Sequence, residues 1–89
     1  MTVQIDPAAR RALDRLRRRD RPAAQRVDQM ITVLAEDPHP PGSKWLGGDL
    51  RACRLSSGKL RVLYLPTAPV KVVAVGYRRS VYGSRSCSN

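Results

Sequence analysis

The stretch "DLRACRLSSGKLRVLYLP", residues 49–66, marks the point at which the chain changes from a helical to an extended pattern. Two runs rich in strand-forming residues, 49–55 and 59–66, are separated by "SSG" at 56–58. Two such runs joined by a few residues that include glycine are typical of a β-hairpin. A third apolar run, 70–77, follows after a short connection, and strands joined in this way pair antiparallel. We therefore predict three consecutive antiparallel strands.

The residues before this stretch predict one further strand and two helices. Residues 2–5, "TVQI", alternate between polar and apolar side chains, as in a short strand. Asp6 suits the N-cap of a first helix and Pro7 its first position, while Asp20 suits the N-cap of a second helix. Both segments carry apolar residues at the spacing of one buried helical face. The two stripes are Ala9, Ala12, Leu13 and Leu16, and then Val27, Met30, Ile31 and Leu34.

These elements predict an α+β fold with the order β-α-α-β-β-β. Two amphipathic helices joined by a few residues form an antiparallel hairpin, and a sheet face is the place where its apolar side can be buried. We therefore expect an antiparallel sheet with a helical hairpin packed on one face and the other face left open. A chain of 89 residues is one domain, 1–89, in which 83–89 is predicted to be a frayed tail.

Positive charge is concentrated in the second half of the chain. The net charge is +10. Residues 1–42 carry eight arginines and six acids, whereas 43–89 carry nine lysines or arginines and a single acid, Asp49. Such a surface attracts polyanions, because neutralised phosphates release their counterions. A merely solvated basic surface is the alternative interpretation.

Sequence motifs for a metal or a cofactor are absent. The chain has no zinc-type spacing, no P-loop and no glycine-rich dinucleotide motif, and its one histidine, His39, excludes a Ser–His–Asp set. Cys53 and Cys87 are predicted to be unpaired thiols. No apolar run reaches the roughly 20 residues of a membrane span, and residues 1–11 lack a signal-peptide pattern. We expect a cytoplasmic protein without metal, cofactor or membrane contact.

Arginine, lysine and tyrosine suit one reaction in particular. RNA is cleaved without a metal when its own 2′-hydroxyl attacks the adjacent phosphate, provided that the strand is held in line and the phosphorane is stabilised. A guanidinium group binds two phosphate oxygens in a bidentate manner, and tyrosine stacks on bases.

Two motifs, "SKWLGGDLRACRLSSGKLRVLY" at 43–64 and "VVAVGYRRSVY" at 72–82, resemble the RelE/ParE toxin superfamily. The family pattern is a block of the type "kL.G....yR.R.G.yRv.Y", followed by an apolar strand that ends in Gly–basic–Arg and a closing "vY". The resemblance implies a β-α-α-β-β-β core and a toxin of a toxin–antitoxin pair. RelE-like members cut mRNA in the ribosomal A site, whereas ParE-like members inhibit DNA gyrase and are not nucleases.

The resemblance also implies roles for individual residues. Arg61 matches the arginine that stabilises the phosphorane, Arg78 the arginine that assists the leaving group, and Tyr82 the tyrosine that stacks on the nucleotide. These three are the predicted catalytic residues. Further basic residues are expected to bind RNA: Lys44, Arg51, Arg54, Lys59 and Arg79.

Two positions depart from the family pattern. Arg54 stands where RelE-like enzymes commonly have lysine, and Ala52 stands where some have another lysine. Arginine cannot act as a general base at neutral pH, because its pKa lies above about 12. These departures indicate a nuclease helped by ribosomal groups, a slower enzyme, or a member that has lost cleavage.

The sequence thus favours a RelE-like, ribosome-dependent mRNA endoribonuclease. A ParE-like gyrase-blocking toxin and a basic RNA-binding module are the alternatives. The expected partners are an acidic antitoxin, the ribosome and mRNA, with the toxin monomeric inside a toxin–antitoxin hetero-oligomer.

Three residues also have simpler interpretations. Without the resemblance, Arg61 would be a solvated or ion-paired strand residue. Tyr64 is predicted to lie in the core. Trp45 is predicted to anchor a loop against the sheet, with stacking on RNA as the alternative.

Overall fold

A computed structural model of the chain describes residues 3–47 and 52–78. It contains two helices and five strands, and the predicted α+β class is confirmed, with one strand more than expected. In chain order the elements are β1 (Gln4–Ile5), α1 (Pro7–Arg19), α2 (Arg21–Glu36), β2 (Ser43–Gly47), β3 (Ala52–Ser57), β4 (Leu60–Leu65) and β5 (Lys71–Tyr77).

The sheet is mixed, and the expectation of a purely antiparallel sheet is corrected. Its strand order is β1-β5-β4-β3-β2, in which β2, β3, β4 and β5 pair antiparallel. β1 pairs parallel to β5, with Gln4 opposite Lys71 and Ile5 opposite Val72. β1 is separated from its partner β5 by two helices and three strands rather than by a hairpin turn, so the short-loop argument for antiparallel pairing does not apply to it.

The additional strand is β2, a segment that the sequence predicts to be a loop. Lys44 pairs with Arg54 and Trp45 with Cys53, before the register shifts between Trp45 and Gly47. The predicted anchoring role of Trp45 is wrong, because 55% of its surface is exposed. A five-residue edge strand that ends in glycine has too few alternating positions to be recognised, and its pairing with β3 defines it.

The two helix starts behave differently. Asp20 caps α2 as predicted, because its side chain accepts a hydrogen bond from the Ala23 N–H at 3.2 Å. Asp6 occupies the N-cap position of α1 but makes no capping bond with its side chain. Its Oδ1 lies 3.7 Å from Lys71 Nζ instead, so this carboxylate joins α1 to β5.

The helical hairpin covers one face of the sheet, as predicted. Leu13 of α1 and Leu34 of α2 are at most 2% exposed and pack with Val62 and Val72. Tyr64 is completely buried, and its hydroxyl donates to the Pro38 carbonyl at 2.7 Å, which confirms its predicted place in the core. Burial raises the pKa of this hydroxyl. Within residues 3–47 and 52–78, no helix packs on the opposite face, which we call the open face.

A two-residue turn at Gly58 and Lys59 joins β3 to β4. Ser57 pairs with Leu60 across it, so the serines of the predicted "SSG" connection belong to the strand. Gly58 has φ of +60°, and the hairpin turns whose twist matches a sheet need a positive φ at this position. A Cβ at Gly58 would meet no atom within 4 Å, so the requirement for glycine is conformational rather than steric.

Candidate nucleic-acid interface

Strand register places three basic residues on the open face. In β4, Leu60 and Val62 are buried under the helices, so Arg61 between them points to the other side. Arg54 lies opposite Leu63 and is therefore the diagonal neighbour of Arg61 on the same face. Lys44 of β2 lies directly opposite Arg54 and extends the group by one strand.

Two more basic residues join this group, Lys59 in the turn between β3 and β4 and Arg78 directly after β5. The Arg78 N–H donates to the Lys59 carbonyl at 2.7 Å, which continues the β4–β5 register beyond the strand ends. Gly76 lies opposite Arg61, so Arg78 stands two residues further on and is its diagonal neighbour, with Cα atoms about 7–8 Å apart. Lys59 and Arg78 thus lie on the same face as Arg61.

The structure therefore brings together five of the predicted site residues. We call them the open-face cluster: Lys44, Arg54, Lys59, Arg61 and Arg78. Lys44, Lys59 and Arg78 are exposed, whereas Arg54 and Arg61 are half-buried. The other predicted residues, Arg51, Arg79 and Tyr82, lie outside the described part of the chain.

The guanidinium of Arg61 is held against its own hairpin. Its Nη1 donates to the Gly58 carbonyl at 2.6 Å and to the Leu60 carbonyl at 2.9 Å. Its Nε is buried and has no hydrogen-bond partner in the structure. No acid in the described segments pairs with it, and its side chain is not freely solvated. Backbone carbonyls fix its position instead.

Gly76 leaves room opposite this arginine. It has φ of +153°, in a region that residues with a side chain rarely adopt. The Arg61–Gly76 pair therefore carries a side chain on one strand only. A glycine inside an apolar strand is a sequence signal for a bulge or for close approach of another group.

The strands that carry the cluster contain no carboxylate. Asp and Glu are absent from 43–47 and from 52–78. The ion pairs found among the described residues are Arg17 with Asp28, at 3.0 Å, and Lys71 with Asp6. Both lie away from the cluster, whose five members are all basic residues.

A hydrogen bond that sequence reasoning missed fixes the end of β5. The Tyr77 hydroxyl donates to Asp20 Oδ2 at the corner between α1 and α2. This bond, together with the Ala23 N–H, lowers the pKa of Asp20. The pKa of Tyr77 is raised, first by the bond to the carboxylate and then by burial. The two residues lie 57 positions apart, and no local pattern links them.

The remaining chemistry-bearing residues form no second centre. Among the residues that the structure describes, no group of three His, Cys, Asp or Glu side chains could hold a metal ion. Cys53 is a free, buried thiol whose pKa is raised by burial. His39 lies in the connection between α2 and β2, where its backbone N–H donates to Asp37 at 2.9 Å.

Comparison with known proteins yields no assignment. No protein-family model matches the chain, and no curated protein matches it either. In the described part of the chain, neither helix has the length and apolar character needed to cross a membrane. The case for a function therefore depends on the geometry of the open-face cluster and on the motifs in the sequence.

Proposed function

We propose that the chain is a RelE-like toxin that cleaves mRNA on the ribosome without a metal. The observation that carries this proposal is the diagonal of Arg54, Arg61 and Arg78 across three neighbouring strands of an uncovered sheet face. Arginines on adjacent strands of a sheet face can bind the phosphates of a flexible single strand of RNA. No carboxylate in those strands would repel it.

The proposed reaction is an internal transfer at phosphorus. The 2′-oxygen of one nucleotide attacks the adjacent phosphorus, and the bond to the 5′-oxygen breaks. The products are a 2′,3′-cyclic phosphate and a 5′-hydroxyl, so the proton lost by the nucleophile is balanced by the one gained by the leaving group. Arg61 stabilises the charge of the phosphorane, and Arg78 stabilises the departing 5′-oxygen.

The contacts of Arg61 support a binding geometry of this kind. Its Nη1 is occupied by two carbonyls, while Nη2 makes no hydrogen bond to any residue that the structure describes. A guanidinium that is fixed at one nitrogen keeps its other N–H groups aimed, so that little reorganisation is needed when charge develops on a phosphate.

Proton transfer requires help from outside the described residues. The cluster has no histidine, the position where RelE-like enzymes commonly have lysine carries Arg54, and arginine does not lose its proton near neutral pH. We therefore assign alignment of the strand to the ribosomal A site and charge stabilisation to the protein. An acidic antitoxin and a cytoplasmic location complete the proposal.

The same observation favours one alternative, a ParE-like toxin that blocks gyrase without catalysis. Arg54, at the position where lysine is common in RelE-like enzymes, is an ion-binding rather than a proton-transferring residue. A basic face without a general base can bind a partner without cutting it.

The deciding experiment uses purified protein, translating ribosomes and a defined mRNA. We expect a cut that leaves a 5′-hydroxyl and a 2′,3′-cyclic phosphate, little cleavage of the same RNA free in solution, and no cleavage when the nucleotide at the cut site lacks its 2′-hydroxyl. Intact mRNA together with accumulated gyrase–DNA breaks would establish the alternative.

A further inference from the structure

A narrow groove of about 120 Å³ lies between α1 and the end of β5, on the helix side of the sheet. One flank of α1 faces α2, and on this flank Arg17 pairs with Asp28 of α2. Arg15 and Arg19 lie on the other flank and form a cationic wall of the groove. Among the described residues the rest of the lining is Ala12, Leu16, Val75, Gly76 and Tyr77.

Among the described residues, no strand pairs with the edge of β5 along this groove. β1 is only two residues long, and its last pair joins Ile5 to Val72. In the described segments no other strand continues on that side of β5. β5 therefore has a neighbouring strand there only along its first residues, where β1 pairs with it. The second half of β5 is therefore a sheet edge, with α1 beside it.

Register shows which backbone groups point into the groove. The Arg78 N–H bonds the Lys59 carbonyl of the β4 side, so Gly76, two residues earlier, also directs its backbone groups to β4. In an antiparallel ladder the intervening residues point the other way. Val75 and Tyr77 therefore direct their N–H and C=O groups away from β4, toward the groove.

The spacing of the two arginines matches that of an extended chain. Arg15 and Arg19 are one helical turn apart, an axial distance of about 6 Å. Alternate side chains of a β-strand are separated by about 6.6 Å. A strand that bonds to Val75 and Tyr77 and runs along α1 would thus present every second side chain to the two guanidinium groups in turn.

We infer that this groove binds an extended acidic segment of a partner protein, which adds a strand to β5. The backbone donors and acceptors require a peptide, and the arginines require carboxylates at alternate positions. Nucleic acid could satisfy the arginines but not the backbone pattern. The chain's own residues 79–89 contain two arginines and no acid, so their charge opposes that role. In the nature of its partner the inference rests on the acidic antitoxin of the proposed function, whereas the nuclease chemistry does not enter it.

The test measures binding of a labelled, end-capped peptide of eight residues, alternating glutamate and threonine, to the full chain by fluorescence anisotropy. Replacing both groove arginines, Arg15→Gln with Arg19→Gln, should weaken binding about tenfold. The matched control, Arg10→Gln with Arg18→Gln, removes the same charge from α1 outside the groove and should change binding by less than about twofold. Equal weakening in the two variants would mean general charge attraction and would overturn the inference.

Amide hydrogen exchange is a second measurement, and general charge attraction alone would not change it. Bound peptide should slow exchange of the Val75 and Tyr77 N–H groups and leave Gly76 unchanged, because Gly76 is already bonded to β4. Unchanged exchange at Val75 and Tyr77 would overturn strand addition. The inference also fails if a short RNA duplex binds with the same dependence on Arg15 and Arg19 while the peptide does not bind. No ribosome enters either assay, so a negative cleavage result leaves this test intact.

Discussion

Arg61 and Arg78 lie near the same end of β4 and β5, but they are held in different ways. Arg61 is fixed by two carbonyls of its own hairpin, whereas Arg78 is exposed and its backbone closes the ladder opposite Lys59. We expect Arg61→Ala and Arg78→Ala each to reduce ribosome-dependent cleavage about 10²–10³-fold with the fold retained. Cleavage assays beside circular dichroism check this, with Arg10→Ala as a remote control of equal charge change. Full activity in both folded variants would remove the site assignment.

The two glycines of the hairpin region allow a matched test of backbone strain. Gly76→Ala forces a side chain into φ of +153°, a region that is nearly glycine-only, and should cost about 1–3 kcal/mol of unfolding free energy. Gly58→Ala, at φ of +60°, should cost about 1 kcal/mol, because the left-handed region is open to other residues at a moderate penalty. Urea unfolding measures both, and an equal or smaller loss at Gly76 would contradict the argument.

Tyr82 can be judged only by substitution, since it lies outside the described residues. If it stacks on a base, Tyr82→Phe keeps most of the cleavage activity and Tyr82→Ala loses it. If its hydroxyl transfers a proton, phenylalanine is nearly as damaging as alanine. Equal activity of all three proteins excludes both roles.

At the scale of the elements, Asp20 and Tyr77 join the helical hairpin to the end of β5. The pKa of Asp20 is lowered in the folded protein, so its contribution to stability is present above the unfolded value of about 3.9 and is lost as pH falls through the folded value. The pKa of Tyr77 is raised, so its contribution is complete below about pH 10 and is lost above it. The bond therefore stabilises the fold between these limits.

Tyr77→Phe and Asp20→Asn test this junction. Both variants should unfold at lower urea concentration than the parent at pH 7, and the difference should shrink as pH falls below about 3.9 and through the lowered pKa of Asp20, where the folded carboxylate becomes protonated. Asp28→Asn, which breaks an exposed ion pair on the helices, serves as the control. A difference that stays constant with pH would mean that packing of the ring, rather than the hydrogen bond, accounts for the loss.

The sequence predicted the elements whose signals are local. The apolar stripes of α1 and α2, the cap at Asp20 and the alternation in β4 all follow from neighbours within one or two turns or strand repeats. β2 and the parallel direction of β1 depend on pairing partners far along the chain, and they were not predicted correctly. The same limit applies to the site: its residue types could be named in advance, but the carbonyl bonds of Arg61 and the bond from Tyr77 to Asp20 are products of the fold.

At the scale of the whole molecule, the charge predicts a steep dependence of RNA binding on salt. If all five residues of the open-face cluster contact phosphates of a single strand, log K should fall with log salt at a slope of about −3.5. Lys44→Gln with Lys59→Gln should reduce the slope by about 1.4. Titrations of a labelled single-stranded RNA between low and high salt measure both slopes. A slope unaffected by the double substitution would place the RNA elsewhere.

The pairing of β1 with β5 has a consequence for synthesis of the chain. Because Gln4 pairs with Lys71, β1 cannot join the sheet until most of the chain has left the ribosomal tunnel. Contacts of such long sequence separation are slow to form. Before that moment α1 and α2 have an apolar side and no completed sheet to cover it. A nascent chain that stalls before β5 therefore keeps this apolar side uncovered, and exposed apolar surface of this kind is what makes an incomplete chain prone to aggregation.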